Sequence, residues 1–196
     1  MTPQNLRAAK QRLRKSILET RNAQPLKLVE EKSEKIFNLL INMDEYKNAN
    51  VIMLYSGKGM EVQTEQLIRT ALKEKRVVLP ITNVKKRILE LSEIKDYDLE
   101  LEIGTFNVLE PKPELIRPIG VGYLDLIVVP GVAFDYYGNR LGYGHAYYDK
   151  LLQSIRRPIP LIGLAFQFQV KKRIPRSRYD IPVHYLVTEM KIFECR

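Results

Sequence analysis

A single cysteine stands in these 196 residues, and no apolar run approaches the length of a membrane span. Cys195, beside the C-terminus, permits neither an internal disulfide nor a thiolate metal cluster, and a reducing cytosol is the expected compartment. The longest apolar stretch, Leu126 to Phe134, is broken by Pro130 and falls far short of the roughly 20 residues needed to cross a bilayer. There is no internal repeat, no Gly/Ser linker and no shift in composition. Neither a P-loop nor a Rossmann fingerprint occurs. Acid is also missing at the start: nothing acidic precedes Glu19, whereas Arg7, Lys10, Arg12, Arg14 and Lys15 do.

What is present is ordinary in bulk, with 45% hydrophobic and 28% charged residues, which excludes a disordered or fibrous chain. The length predicts one domain over 1–196. A net charge of +9 calls for an anionic partner, without separating nucleic acid from nucleotide phosphates or a polycarboxylate. A basic start of this kind also suits a transit peptide. Leu6, Ala9, Leu13 and Ile17, however, recur at spacings of three and four, and Thr2-Pro3 reads as an N-cap and first turn. A helix packed on the core is the better reading.

Helices are expected over 3–22 and 26–43, the second turning Val29, Ile36, Phe37 and Leu40 inward. Val51 to Tyr55 reads as a buried strand opening into the loop Ser56-Gly57-Lys58-Gly59. A helix over 64–75 and a strand over 76–79, stopped by Pro80, complete a βαβ unit and imply a parallel sheet. Residues 81–123 are less regular, with an edge strand near Ile88 to Ser92 and a surface crossing marked by Pro111, Pro113 and Pro118. A strand over 124–129, a long loop, a helix over 147–154 and strands over 161–165 and 184–188 finish the chain.

In parallel sheets, ligands bind beyond the carboxyl ends of strands. Two loops qualify: Ser56 to Glu61, and Gly131 to Ala146. In the second, Gly142-Tyr143-Gly144 forms a G-x-G turn ahead of a helix, where backbone N–H groups and the helix dipole favour phosphate. Arg140 adds a side-chain donor. Taken alone, a G-x-G is a weak signal, and a glycine-rich connection between strand and helix is the commoner reading of it.

The stretch Pro130-Gly131-Val132-Ala133-Phe134-Asp135, through Gly138-Asn139-Arg140-Leu141-Gly142-Tyr143-Gly144 to Tyr147-Tyr148-Asp149, resembles the signature of the 5-formyltetrahydrofolate cyclo-ligase family. Lys10-x-x-x-Arg14, Glu61-Val62-Gln63-Thr64, Gly104 to Pro111, and Tyr179-Asp180-Ile181-Pro182-Val183 resemble further segments of that family, in order. The resemblance spans nearly the whole chain. This sequence departs from it at His145 and Ala146, where Lys or Gly and then Gly are usual, and at Lys150 and His184, which replace Arg and Asp.

The resemblance implies a three-layer α/β/α sandwich with a mostly parallel sheet, similar to the sugar-phosphate isomerase and CoA-transferase group. It implies a cytoplasmic, monomeric enzyme that uses ATP and Mg²⁺ to cyclise 5-formyltetrahydrofolate to 5,10-methenyltetrahydrofolate, releasing ADP and phosphate. Lys10 and Arg14, one turn apart on a helix, would reach the triphosphate. Arg140, Leu141, Gly142, Tyr143, Gly144, His145, Ala146, Tyr147 and Tyr148 would form the nucleotide loop. Catalysis would rest on Lys10, Arg14, Arg140 and Tyr147. Ser56, Glu61 and Tyr147 would bind the folate, whose glutamate tail offers the +9 charge a partner. Asp149 and Asp180 would hold Mg²⁺, a hard cation that prefers carboxylate oxygens. His145, beside the glycine turn, would donate to a phosphate. Two other readings remain open from the residues. One is a basic nucleic-acid-binding domain, suggested by Lys171-Lys172-Arg173 and Arg176-Ser177-Arg178, though no RNP, KH or helix-turn-helix pattern accompanies them. The other is a same-fold enzyme acting on another phosphorylated metabolite.

Overall fold

The computed structural model describes residues 2–195. Helix α1 (Pro3–Asn22) starts as expected: the Thr2 hydroxyl accepts from the Asn5 N–H at 3.3 Å and Pro3 occupies the first turn. α2 (Leu26–Ile41) stops two residues short of expectation, and a separate short helix, α3 (Asp44–Asn48), follows. Strand β1 (Val51–Met53), helix α4 (Glu65–Ala71) and strand β2 (Arg76–Asn83) form the expected βαβ unit, with Val51 paired in parallel to Arg76.

Proline does not stop β2. The Leu91 carbonyl turns away from β2 to accept from Ile119 N–H at 3.1 Å, so the Pro80–Leu91 pair exchanges no hydrogen bond. The proline nitrogen therefore faces the side from which β1 has already departed, where no ladder bond is lost. Beyond it come β3 (Ile88–Ile94), α5 (Tyr97–Glu100), and a hairpin of β4 (Leu101–Ile103) and β5 (Leu109–Pro111). The irregular stretch thus carries more order than its sequence pattern suggests. β6 (Leu126–Val129) leads into the long loop, which itself contains β7 (Ala133–Asp135) and β8 (Arg140–Leu141). Then follow α6 (Tyr147–Gln153), β9 (Leu161–Leu164), β10 (Val170–Lys171), β11 (Tyr185–Val187) and β12 (Ile192–Glu194).

The main sheet runs β12-β11-β9-β6-β1-β2-β3, with five parallel strands between two antiparallel edges. Alternate residues of each strand feed opposite cores. Ile52, Leu54, Leu126, Val128 and Ile162 meet α2, α3 and α4 on one face. Met53, Val78, Ile127, Val129 and Leu161 meet α6 and the small sheet β10-β7-β8 on the other. Each such side chain contributes about 1.5–3 kcal/mol by leaving water. The second outer layer is thin. α6 has only seven residues, so the small sheet completes the cover and α1 packs outside it through Ile17, Leu13 and Leu18.

Candidate functional site

β1 and β6 are parallel neighbours, so the loops that leave their carboxyl ends, Ser56 to Glu61 and Gly131 to Ala146, open side by side. Between them and α1 lies a cleft of about 720 Å³. Every residue that the family resemblance implies for the site lines this cleft, from Lys10 and Arg14, through Ser56 and Glu61, to the run Arg140–Asp149 and Asp180. The structure thus brings together residues up to 170 positions apart, the separation of Lys10 and Asp180.

One wall is basic. Lys10 and Arg14 occupy one face of α1. The Lys10 ammonium contacts Asp180 Oδ2 at 2.5 Å, and Arg14 Nε donates to the Gly142 carbonyl at 2.9 Å. Gly144, at φ +111°, adopts a conformation that suits glycine, with the Arg14 guanidinium beside it. Arg14 is partly desolvated, which draws its pKa below the usual value. Arg140, buried at 6% exposure, donates to Asp149 Oδ1 at 2.9 Å and lies over the Tyr148 ring, while its Nε has no partner. Burial pushes the Tyr148 phenol up, the Arg140 charge pulling it part of the way back, so this ring remains a neutral donor.

The loop after β1 adds Ser56 and Glu61 to the lining, both 7% exposed. Glu61 accepts from the Lys58 N–H at 3.1 Å through Oε2, and from the Tyr143 hydroxyl through Oε1. Arg21 Nη2 in turn donates to the Tyr143 oxygen at 2.7 Å. Above them Phe106 stacks on His145, ring centroids 5.2 Å apart, with Tyr147 tilted against both. Phe106 is held there by a hairpin turn with positive φ at Phe106 and Asn107, and by Lys58 Nζ donating to its carbonyl at 2.8 Å. His145 therefore meets an aromatic face rather than standing free beside the glycine turn.

Sequence reasoning missed Arg21, Lys58 and Phe106. A basic residue on an amphipathic helix reads as solvated, and an aromatic in an irregular stretch has no period to reveal it. Arg21 does continue the Lys10, Arg14, Ile17 face of α1, and that spacing was the available signal.

The two candidate metal carboxylates differ. Asp180 accepts from Lys10 and the Ser177 N–H through Oδ2, and from the Ser177 hydroxyl through Oδ1. Both its oxygens are engaged and it is the counter-ion of Lys10, so a cation there would have to share Asp180 with the ammonium. Asp149 gives Oδ1 to Arg140 and, among the described residues, keeps Oδ2 unengaged. Among the described residues no cluster of three or more His, Cys, Asp or Glu side chains could hold a metal by itself. One carboxylate oxygen beside a cationic wall suits Mg²⁺ that arrives with phosphate oxygens and water, not an ion caged by protein. No helix among the described residues is long and apolar enough to cross a membrane.

Residues 6–189 match the model of the 5-formyltetrahydrofolate cyclo-ligase family. A 5-formyltetrahydrofolate cyclo-ligase of Haemophilus influenzae is 33% identical over 148 residues, covering 73% of this chain and 78% of its own. A mouse enzyme of the same name is 29% identical over 189 residues, covering 92% and 89%. The solved structure of Aquifex aeolicus 5,10-methenyltetrahydrofolate synthetase superposes with a TM-score of 0.84 at 35% identity, covering 95% of this chain and 93% of that one. A Mycoplasma pneumoniae 5,10-methenyltetrahydrofolate synthetase shares the fold, with a TM-score of 0.74 at 21% identity, covering 92% and 98%.

Proposed function

This chain belongs to the 5-formyltetrahydrofolate cyclo-ligase family, and from that premise we propose that the cleft couples ATP hydrolysis to closure of 5-formyltetrahydrofolate into 5,10-methenyltetrahydrofolate. The observation that carries this reading is the division of one cleft between a cationic wall, with Lys10, Arg14 and Arg140, and an acceptor wall centred on Glu61. A triphosphate fits the first, and the N–H donors of a pterin fit the second.

The chemistry explains why a nucleotide is needed. Attack of N10 on the formyl carbon stalls because an amide oxygen is a poor leaving group. Attack of the formyl oxygen on the γ-phosphorus, with departure of ADP, converts that oxygen into a phosphate ester. N10 then closes on the formyl carbon and gives up its proton, the C–O bond breaks, and the phosphate leaves carrying that proton. Lys10, Arg14 and Arg140 are placed to neutralise the transferring phosphoryl group, and the two walls hold the reactants in register. Tyr147, beside Phe106 and His145, is placed to pack against a ligand ring. Asp149 is the residue that would hold Mg²⁺, which when bound supplies charge neutralisation at the phosphates.

A near-ultraviolet scan of the protein with 5-formyltetrahydrofolate and MgATP tests this. Methenyl absorbance should grow in the complete mixture, vanish without ATP, and slow by on the order of 10²-fold in Asp149→Asn. A flat trace from protein that still binds ATP would overturn the substrate assignment.

A further inference from the structure

Arg21 is charged and only 5% exposed, and it belongs to none of the motifs quoted above. Its Nε and Nη1 have no hydrogen-bond partner, although Nη1 sits 3.6 Å from Glu61 Oε1. An arginine buried to hold a fold together has its donors satisfied, because each orphaned donor of a buried cation is costly. This one is held by a single bond, from Nη2 to the Tyr143 oxygen at 2.7 Å. Its place behind Tyr143 and Glu61, which line the cleft, therefore calls for a reason other than stability.

The hydrogen-bond logic supplies one. A guanidinium can only donate, so the Tyr143 oxygen must accept from Arg21, and the phenolic proton then has one direction left. It goes to Glu61 Oε1. Burial, followed by the Glu61 charge, keeps the Tyr143 phenol protonated far above neutral pH, so the chain always ends with a donor on the carboxylate. Glu61 Oε2 is meanwhile pinned by the Lys58 N–H. A carboxylate with one donor fixed on each oxygen retains a second lone pair on each, in a fixed plane. That presents two parallel acceptors to a planar ligand with adjacent N–H donors.

We propose that Arg21 is a positioning residue for folate binding, acting through the Tyr143 hydroxyl to fix Glu61 as a rigid acceptor for the pterin ring. The inference rests on the reading of Glu61 as the pterin-binding carboxylate. It also separates two jobs along α1: Lys10 and Arg14 serve the nucleotide end, and Arg21, two to three turns further along, serves the folate end.

The test measures dissociation constants for 5-formyltetrahydrofolate and, separately, for ATP, together with thermal unfolding. Arg21→Met keeps the buried volume and removes the charge. It should weaken folate binding about tenfold or more while leaving ATP affinity and the unfolding temperature unchanged or, for the latter, raised. In the double variant with Glu61→Gln, removing Arg21 should cost no further folate affinity, since its effect passes through that carboxylate. Arg21→Met that unfolds earlier yet binds folate normally is a structural strut, and the proposal fails. Folate affinity unchanged in Glu61→Gln overturns instead the reading beneath it. Should Arg21→Met not fold, Tyr143→Phe cuts the same chain at the phenol, and normal folate affinity there overturns the proposal equally.

Discussion

The 2.5 Å contact between Lys10 and Asp180 joins the first helix to a loop near the far end of the chain. Burial alone would raise the Asp180 pKa, but the Lys10 ammonium, the Ser177 N–H and the Ser177 hydroxyl together hold it below the ordinary carboxylate value. A carboxyl whose folded pKa is depressed adds stability above its unfolded value, near 4, and loses it as the pH falls through the folded value. Both partners keep some contact with water, so the pair is worth about 1 kcal/mol. Chemical unfolding of the wild type and Asp180→Asn should therefore differ by about that amount at pH 7 and converge below pH ~4. A gap of unchanged size at pH ~3 would show that the loss comes from the Ser177 turn, not from the charge.

At the scale of elements, α6 begins under strain. Its N-cap, Ala146, sits at φ 59°, ψ 19° and offers no side-chain cap. A Cβ in the left-handed region costs about 1 kcal/mol relative to glycine. Ala146→Gly should accordingly stabilise the protein by about 1 kcal/mol and raise the melting temperature by about 2–4 °C. A lower melting temperature would mean that the methyl group has contacts worth more than the strain. This strain was visible in the sequence as an alanine where a glycine is usual. So was the βαβ unit, because Val51 to Met53 and Val77 to Leu79 are uniformly apolar and flank an amphipathic segment. The small sheet was not visible: strands of two or three residues such as Arg140–Leu141 show no period, and β7 pairs with β10 some 36 positions away in sequence. The candidate site was legible where its residues cluster in sequence, around Arg140 to Asp149. Arg21 showed only as a continuation of the basic face of α1, and its link to Glu61 was hidden because its partner Tyr143 lies 122 positions away.

At the scale of the whole molecule, the cleft is where three elements of the fold meet. Lys10 and Arg14 arrive on α1, Glu61 on the loop from the main sheet, and Arg140 on the small sheet. A ligand that bridges these walls ties all three together, so its binding energy appears as resistance to global unfolding. At about 100 times its dissociation constant, such a ligand stabilises by about 2.7 kcal/mol, or about 5–10 °C for a chain of this size. MgATP should produce that shift. On the proposed reading Lys10, Arg14 and Arg140 would confront the phosphates in a chain of net charge +9, so the shift should shrink as salt rises from about 0.05 to 0.5 M. Adenosine, which lacks phosphates, should shift the transition far less. A salt-independent shift matched by adenosine would place recognition at the base and leave the cationic wall without its proposed role.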